Sequence, residues 1–97
     1  MITRIVKMQF HAEHIPAFIT FFGERKGEIK NFPGCLHVEL LQETGESATF
    51  FTYSCWEDEE ALHAYRSSAF FKDTWQYTRS LFSRKAEAWS TTRIAAG

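Results

Sequence analysis

The spacing of apolar residues in this chain switches between a period of two and a period of about 3.6, and the order of the switches leaves few folds open. Residues 2–10 alternate, with Ile2, Arg4, Val6, Met8 and Phe10 on one face and Thr3, Ile5, Lys7 and Gln9 on the other. That is a strand with one clearly more apolar face. From about Ala12 the spacing of Ile15, Phe18, Ile19, Phe22 and Ile29 is helical, with Pro16 in the first turn, where its missing N–H costs little. Asn31-Phe32-Pro33-Gly34 stops the helix. Two more strands follow, "CLHVELLQE" and "TFFTYSCW", joined by the polar connection "TGESA". Asp58 is the expected N-cap of the next helix, and Glu57, Glu59 and Glu60 lie where the helix dipole favours negative charge. The helical pattern breaks near Ser67-Ser68 and resumes with Phe71, Trp75, Thr78 and Phe82. The segment "AEAWSTTRI" reads as the last strand.

The order is β-α-β-β-α-β with the second helix split. This predicts a single α+β domain over residues 1–97 of ferredoxin-like type, an antiparallel sheet with helices on one face. The other face is left bare, and both faces carry bulky side chains: Phe50 and Trp56 on one parity of the third strand, Phe51 and Tyr53 on the other. Ten Phe, three Trp and three Tyr in 97 residues are more large apolar surface than so small a monomer usually hides. A homodimer packed sheet to sheet is the expected remedy.

The charge pattern narrows the partners. Net charge is −1 with both signs dispersed, so no basic run points to nucleic acid. The polar, alternating start "MITRIVKMQF" is unlike a signal peptide, and no apolar run approaches membrane-spanning length. Cys35 and Cys55 form no metal-ligand spacing or disulfide framework. A cytoplasmic protein with reduced thiols and no metal site is the expectation.

"FPGC" before a strand, a tryptophan closing the next one, and then "WEDEEALHAYRSSAFF" together resemble the antibiotic biosynthesis monooxygenase domains. These are small dimeric α/β barrels that often run W-x-x-x-x-A-L-x-x-H-x-x-S-x-x-F. Trp56, Ala61, Leu62, Ser68 and Phe71 match. Tyr65 stands where many members have histidine, so a role for that histidine does not carry over; His63 lies on another side of the helix. The first strand has no asparagine, which argues against the haem-degrading relatives. The resemblance implies a cofactor-independent monooxygenase, without metal or flavin, acting on a small aromatic or quinol-type metabolite between sheet and helices. The alternative on the same fold is a non-oxidative isomerase or binding module.

Several residues are candidates for such a site. His37, beside Glu39, is the best-placed histidine for proton transfer, and Tyr65 could donate to a substrate oxygen. Trp56, Tyr53, Phe71 and Trp75 are the candidate ligand contacts. His11 and His14 read as a solvated helix start, because no third ligand follows at metal spacing.

Overall fold

The computed structural model describes residues 1–97. Strand β1 (Ile2–Phe10) leads through a 3-10 turn (Ala12–His14) into helix α1 (Ile15–Lys30). Strands β2 (Cys35–Gln42) and β3 (Thr49–Trp56) follow, then helices α2 (Glu59–Arg66) and α3 (Ala69–Ser80), and strand β4 (Phe82–Thr91). The sheet order is β2-β3-β1-β4 with every neighbour antiparallel, which is the ferredoxin-like arrangement. No helix is long and apolar enough to cross a membrane.

Local chemistry sets the helix ends. Asp58 caps α2 through its Oδ1, which accepts from the Ala61 N–H at 2.8 Å. Ser68 stops one helix and starts the next. Its hydroxyl donates to the Tyr65 carbonyl at 2.6 Å and accepts from the Phe71 N–H at 3.1 Å. Arg25 of α1 holds α3 alongside by bonds to Thr74 (2.8 Å) and Asp73 (3.1 Å). Its guanidinium also lies over the Phe21 and Phe70 rings.

Gly34 enters β2 with φ +86°, and a Cβ there would collide with that of Ala61, at the start of α2. Its carbonyl accepts from the Glu57 N–H at 2.9 Å, so this turn fastens the start of β2 to the end of β3. Gly34→Ala should therefore cost at least ~2 kcal/mol, from left-handed strain plus the clash. Gly23 and Gly27 on α1 have open space beside them. Gly23→Ala should instead be neutral or stabilising by up to ~1 kcal/mol. Paired thermal melts of the two variants check both statements.

Strand parity divides the sheet. Even-numbered residues of β1 and β3 face the helices, and Met8, Phe10 and Phe50 are buried there with Phe18 of α1 and Leu81. A second cluster at the other end of the sheet joins Trp56, Ile29, Cys35, Leu62 and Tyr65. Odd-numbered Ile5, Leu41, Phe51, Tyr53 and Trp89 lie on the face without helices, with Leu41 44% and Trp89 45% exposed.

Three sequence expectations need correction. Phe82 is not the last apolar residue of a helix. α3 ends at Ser80, and Phe82 opens β4 opposite Phe10. Register shifts on either side of Gln9 break the alternation there, which hides the start of this strand from a period count. β4 also stops at Thr91, because β1 has run out: Thr91 pairs with Thr3 and donates to its carbonyl at 2.8 Å. Ile19, placed on the apolar stripe of α1, is 47% exposed. The sheet is met instead by Phe18, Phe22 and Ile29.

Candidate functional site

Between the two buried clusters the sheet is floored by small side chains. Along β3 the helix-facing residues run Phe50, Thr52, Ser54, Trp56, large at both ends and small in the middle. β1 adds Val6, β2 adds Val38, and β4 adds Ala86 and Ala88. The helices cannot collapse onto this trough because bulky residues prop them at each end. The result is a cavity of ≈ 350 Å³, within the range of small-ligand sites. Its roof is Phe18, Phe22 and Ile29 from α1, Leu62, Tyr65 and Arg66 from α2, and Phe71, Thr74, Trp75 and Thr78 from α3.

One wall is a run of aromatic rings. Trp56 stacks on Tyr65 with centroids 4.8 Å apart and planes at 28°. Tyr65 meets Phe71 edge-on at 5.1 Å, and Phe71 lies parallel to Trp75 at 6.0 Å and 9°. Trp56 is 1% exposed, and its indole N–H donates to Ser54 Oγ at 3.0 Å, so its orientation is held from the floor.

Tyr65 is a buried donor. Burial, with a smaller contribution from Cys35, pushes its phenol above the usual range, and no group of the chain hydrogen-bonds its hydroxyl. A phenol kept protonated can donate to a ligand oxygen, and it is a poor base. Because its native pKa lies above the unfolded one, stability is retained below the unfolded value of ~10 and falls as pH rises beyond it. Tyr65→Phe removes this alkaline loss. The variant should therefore hold its fold to higher pH than the wild type in circular-dichroism titrations.

No histidine, aspartate or glutamate lines the cavity. Its only charges are Arg4 and Arg66. Burial, and secondarily Arg66, lowers the pKa of Arg4, and one Arg4 nitrogen donates to Ser90 Oγ at 3.0 Å. Nowhere in the chain do three His, Cys, Asp or Glu side chains gather as they would to hold a metal ion.

Of the residues singled out from sequence, Trp56, Tyr65, Phe71 and Trp75 come together as cavity wall. His37 and Tyr53 do not. Both point to the opposite face of the sheet, where the His37 ring nitrogen lies 3.0 Å from Glu39 Oε2 and the ring packs edge-on to Tyr53. Their parity on β2 and β3 puts the whole sheet between them and the cavity that Trp56 lines. His14 departs from the expected solvated helix start: it is half-buried, with a buried Nδ1 that has no partner. Cys35 and Cys55 are free and buried, and burial raises the Cys35 thiol. Sequence reasoning passed over Arg4 and Arg66. The available signal was an arginine within the otherwise apolar face of β1.

Several known proteins share this architecture. A crystal structure of an antibiotic biosynthesis monooxygenase superposes with a TM-score of 0.89 at 16% identity, covering 98% of this chain and 100% of the other. A putative antibiotic biosynthesis monooxygenase from Nitrosomonas europaea gives 0.86 at 17%, covering 98% and 100%. A variant of SnoaB, a cofactor-independent oxygenase from Streptomyces nogalater, gives 0.84 at 20%, covering 98% and 94%. At such identities the likeness speaks for the fold. No curated protein sequence matches the chain significantly. The sequence model of the antibiotic biosynthesis monooxygenase family, however, matches residues 1–77, from β1 through most of α3, and on that match this chain belongs to the antibiotic biosynthesis monooxygenase family.

Proposed function

We propose that the protein is a cofactor-independent monooxygenase acting on a small aromatic, quinol-type metabolite in the cavity between sheet and helices. The observation that carries this reading is the cavity itself, ≈ 350 Å³ and lined by nineteen residues of which thirteen are hydrophobic. Family membership supports it. An electron-rich hydroquinone anion can reduce dioxygen directly. One oxygen atom enters the ring and the other leaves as water with two substrate hydrogens; the hydroquinone supplies all four electrons and ends as a hydroxyquinone. The chain then has to supply an apolar enclosure, a donor that favours the substrate oxyanion, and exclusion of bulk water. Tyr65 is the donor in this scheme. His37, across the sheet, has no part in it, and the substrate proton leaves to solvent. The two unpaired thiols fit a reducing, cytoplasmic setting.

Oxygen uptake with a panel of hydroquinones in metal-free buffer tests the proposal. Rates should exceed autoxidation for at least one substrate. Ala86→Phe, which fills the floor of the cavity, should cut that rate at least ~10-fold while the fold is retained. Rates that never rise above autoxidation, or that Ala86→Phe leaves unchanged, would refute the oxygenase.

The lack of a lining histidine or carboxylate favours one other reading, a binding module on the same fold. A ligand that raises the melting temperature and is recovered unchanged under air would select it.

A further inference from the structure

The cavity carries two positive charges and no negative one. Arg4 comes from β1 and Arg66 from the last turn of α2, and both line the cavity. The salt bridges of the chain lie elsewhere, at Arg25–Asp73 and His37–Glu39, so neither arginine has a carboxylate partner within 4.0 Å. The C-terminal end of α2 favours a cation at Arg66, but it does nothing for Arg4, which is half-buried and bonded only to the neutral Ser90 hydroxyl. Two guanidinium groups that line one cavity, neither with a carboxylate partner, are an arrangement that an anion between them would stabilise.

Their position says which part of a ligand they would meet. Arg66, Ala88 and Ser90 are exposed, so the arginine end of the cavity opens to solvent, while Met8, Phe18 and Thr78 at depth are buried. A ligand filling this space has an apolar, ring-like body inside and an anionic group at the opening. A planar carboxylate matches the two-donor edge of a guanidinium.

We propose that Arg4 and Arg66 form a carboxylate-binding subsite at the open end of the cavity, and that the natural ligand is an aromatic acid held with its rings inward. This deepens the functional reading above and rests on the cavity being a ligand site. It does not require that the ligand be oxidised.

The probes are 2-naphthoate and its uncharged analogue 2-naphthamide, titrated calorimetrically and by quenching of Trp56 and Trp75 fluorescence. The acid should bind at least ~10-fold more tightly than the amide. Arg4→Gln and Arg66→Gln should each remove most of that preference while changing amide affinity by no more than ~2-fold. Arg66 is exposed, so its variant provides the test even if the Arg4 variant folds poorly. Equal binding of acid and amide by the wild type, or a preference that survives both substitutions, would overturn the subsite and leave the cavity reading standing. Failure of both probes to bind would overturn the subsite together with the cavity as an aromatic site. Oxygen uptake is read separately, so an inactive protein that still prefers the acid supports the subsite.

Discussion

Trp56→Ala is expected to lower stability by ~3–5 kcal/mol, the usual cost of deleting a fully buried large aromatic. For a chain of 97 residues that is a fall in melting temperature of ~15 °C or more. The size follows from what the ring touches. Trp56 closes β3, stacks on Tyr65, meets Phe32 edge-on at 6.5 Å and bonds Ser54 through its indole N–H. Removing it takes the central member from the cluster of Ile29, Cys35, Leu62 and Tyr65, and enlarges a cavity that already lies beside it. The helices have no way to close that gap, because the Phe10–Phe18–Phe50 cluster props them at the far end. Trp56→Phe keeps a ring against Tyr65 and should lose clearly less. Urea unfolding of the two variants measures both, and a Trp56→Ala loss below ~1 kcal/mol would mean the cluster is organised by something else.

Wild-type protein at micromolar concentration is expected to scatter light with the mass of two chains, and Ile5→Arg to restore one. The register sets Tyr53, Ile5 and Trp89 side by side across three strands, with Phe51 and Leu41 in the next row. No helix covers them, and Trp89 and Leu41 are nearly half exposed. A second copy related by a two-fold axis would bury these residues against their own counterparts. A standard interface of ~1,200–2,000 Å² fits a four-stranded sheet of this size. Arginine at position 5 puts a charge into the centre of that interface and repeats it across the axis. Association should weaken at least ~100-fold. The wild-type melting temperature should fall on dilution and that of the variant should not. A monomeric wild type whose melting temperature is unchanged over about a hundred-fold dilution would remove this explanation for the aromatic content.

Much of the frame is legible in the residues alone, because period and punctuation are local properties. The alternation of residues 2–10, the cap at Asp58 and the break at Ser67-Ser68 each act through neighbours a few positions away, and each lies where the chain pattern puts it. The start of β4 does not, since the bulges around Gln9 are a property of two paired strands and neither strand shows them by itself. Within the site, Trp56, Tyr65, Phe71 and Trp75 could be picked out because large aromatics on apolar faces must be buried somewhere. Which face of the sheet would hold a cavity was open, as both parities of β3 carry bulky residues. The helices decided it by covering the even face. That choice sent His37 and Tyr53 to the far side, turned Thr52, Ser54, Ala86 and Ala88 into a floor, and brought Arg4 of β1 and Arg66 of α2 to one cavity. Sequence by itself determined the elements and their order, since backbone propensity and hydrophobic period depend on short windows of chain. The cavity, its charge and its opening were decided only by tertiary structure, because an unfilled volume is a relation between side chains that no single segment contains.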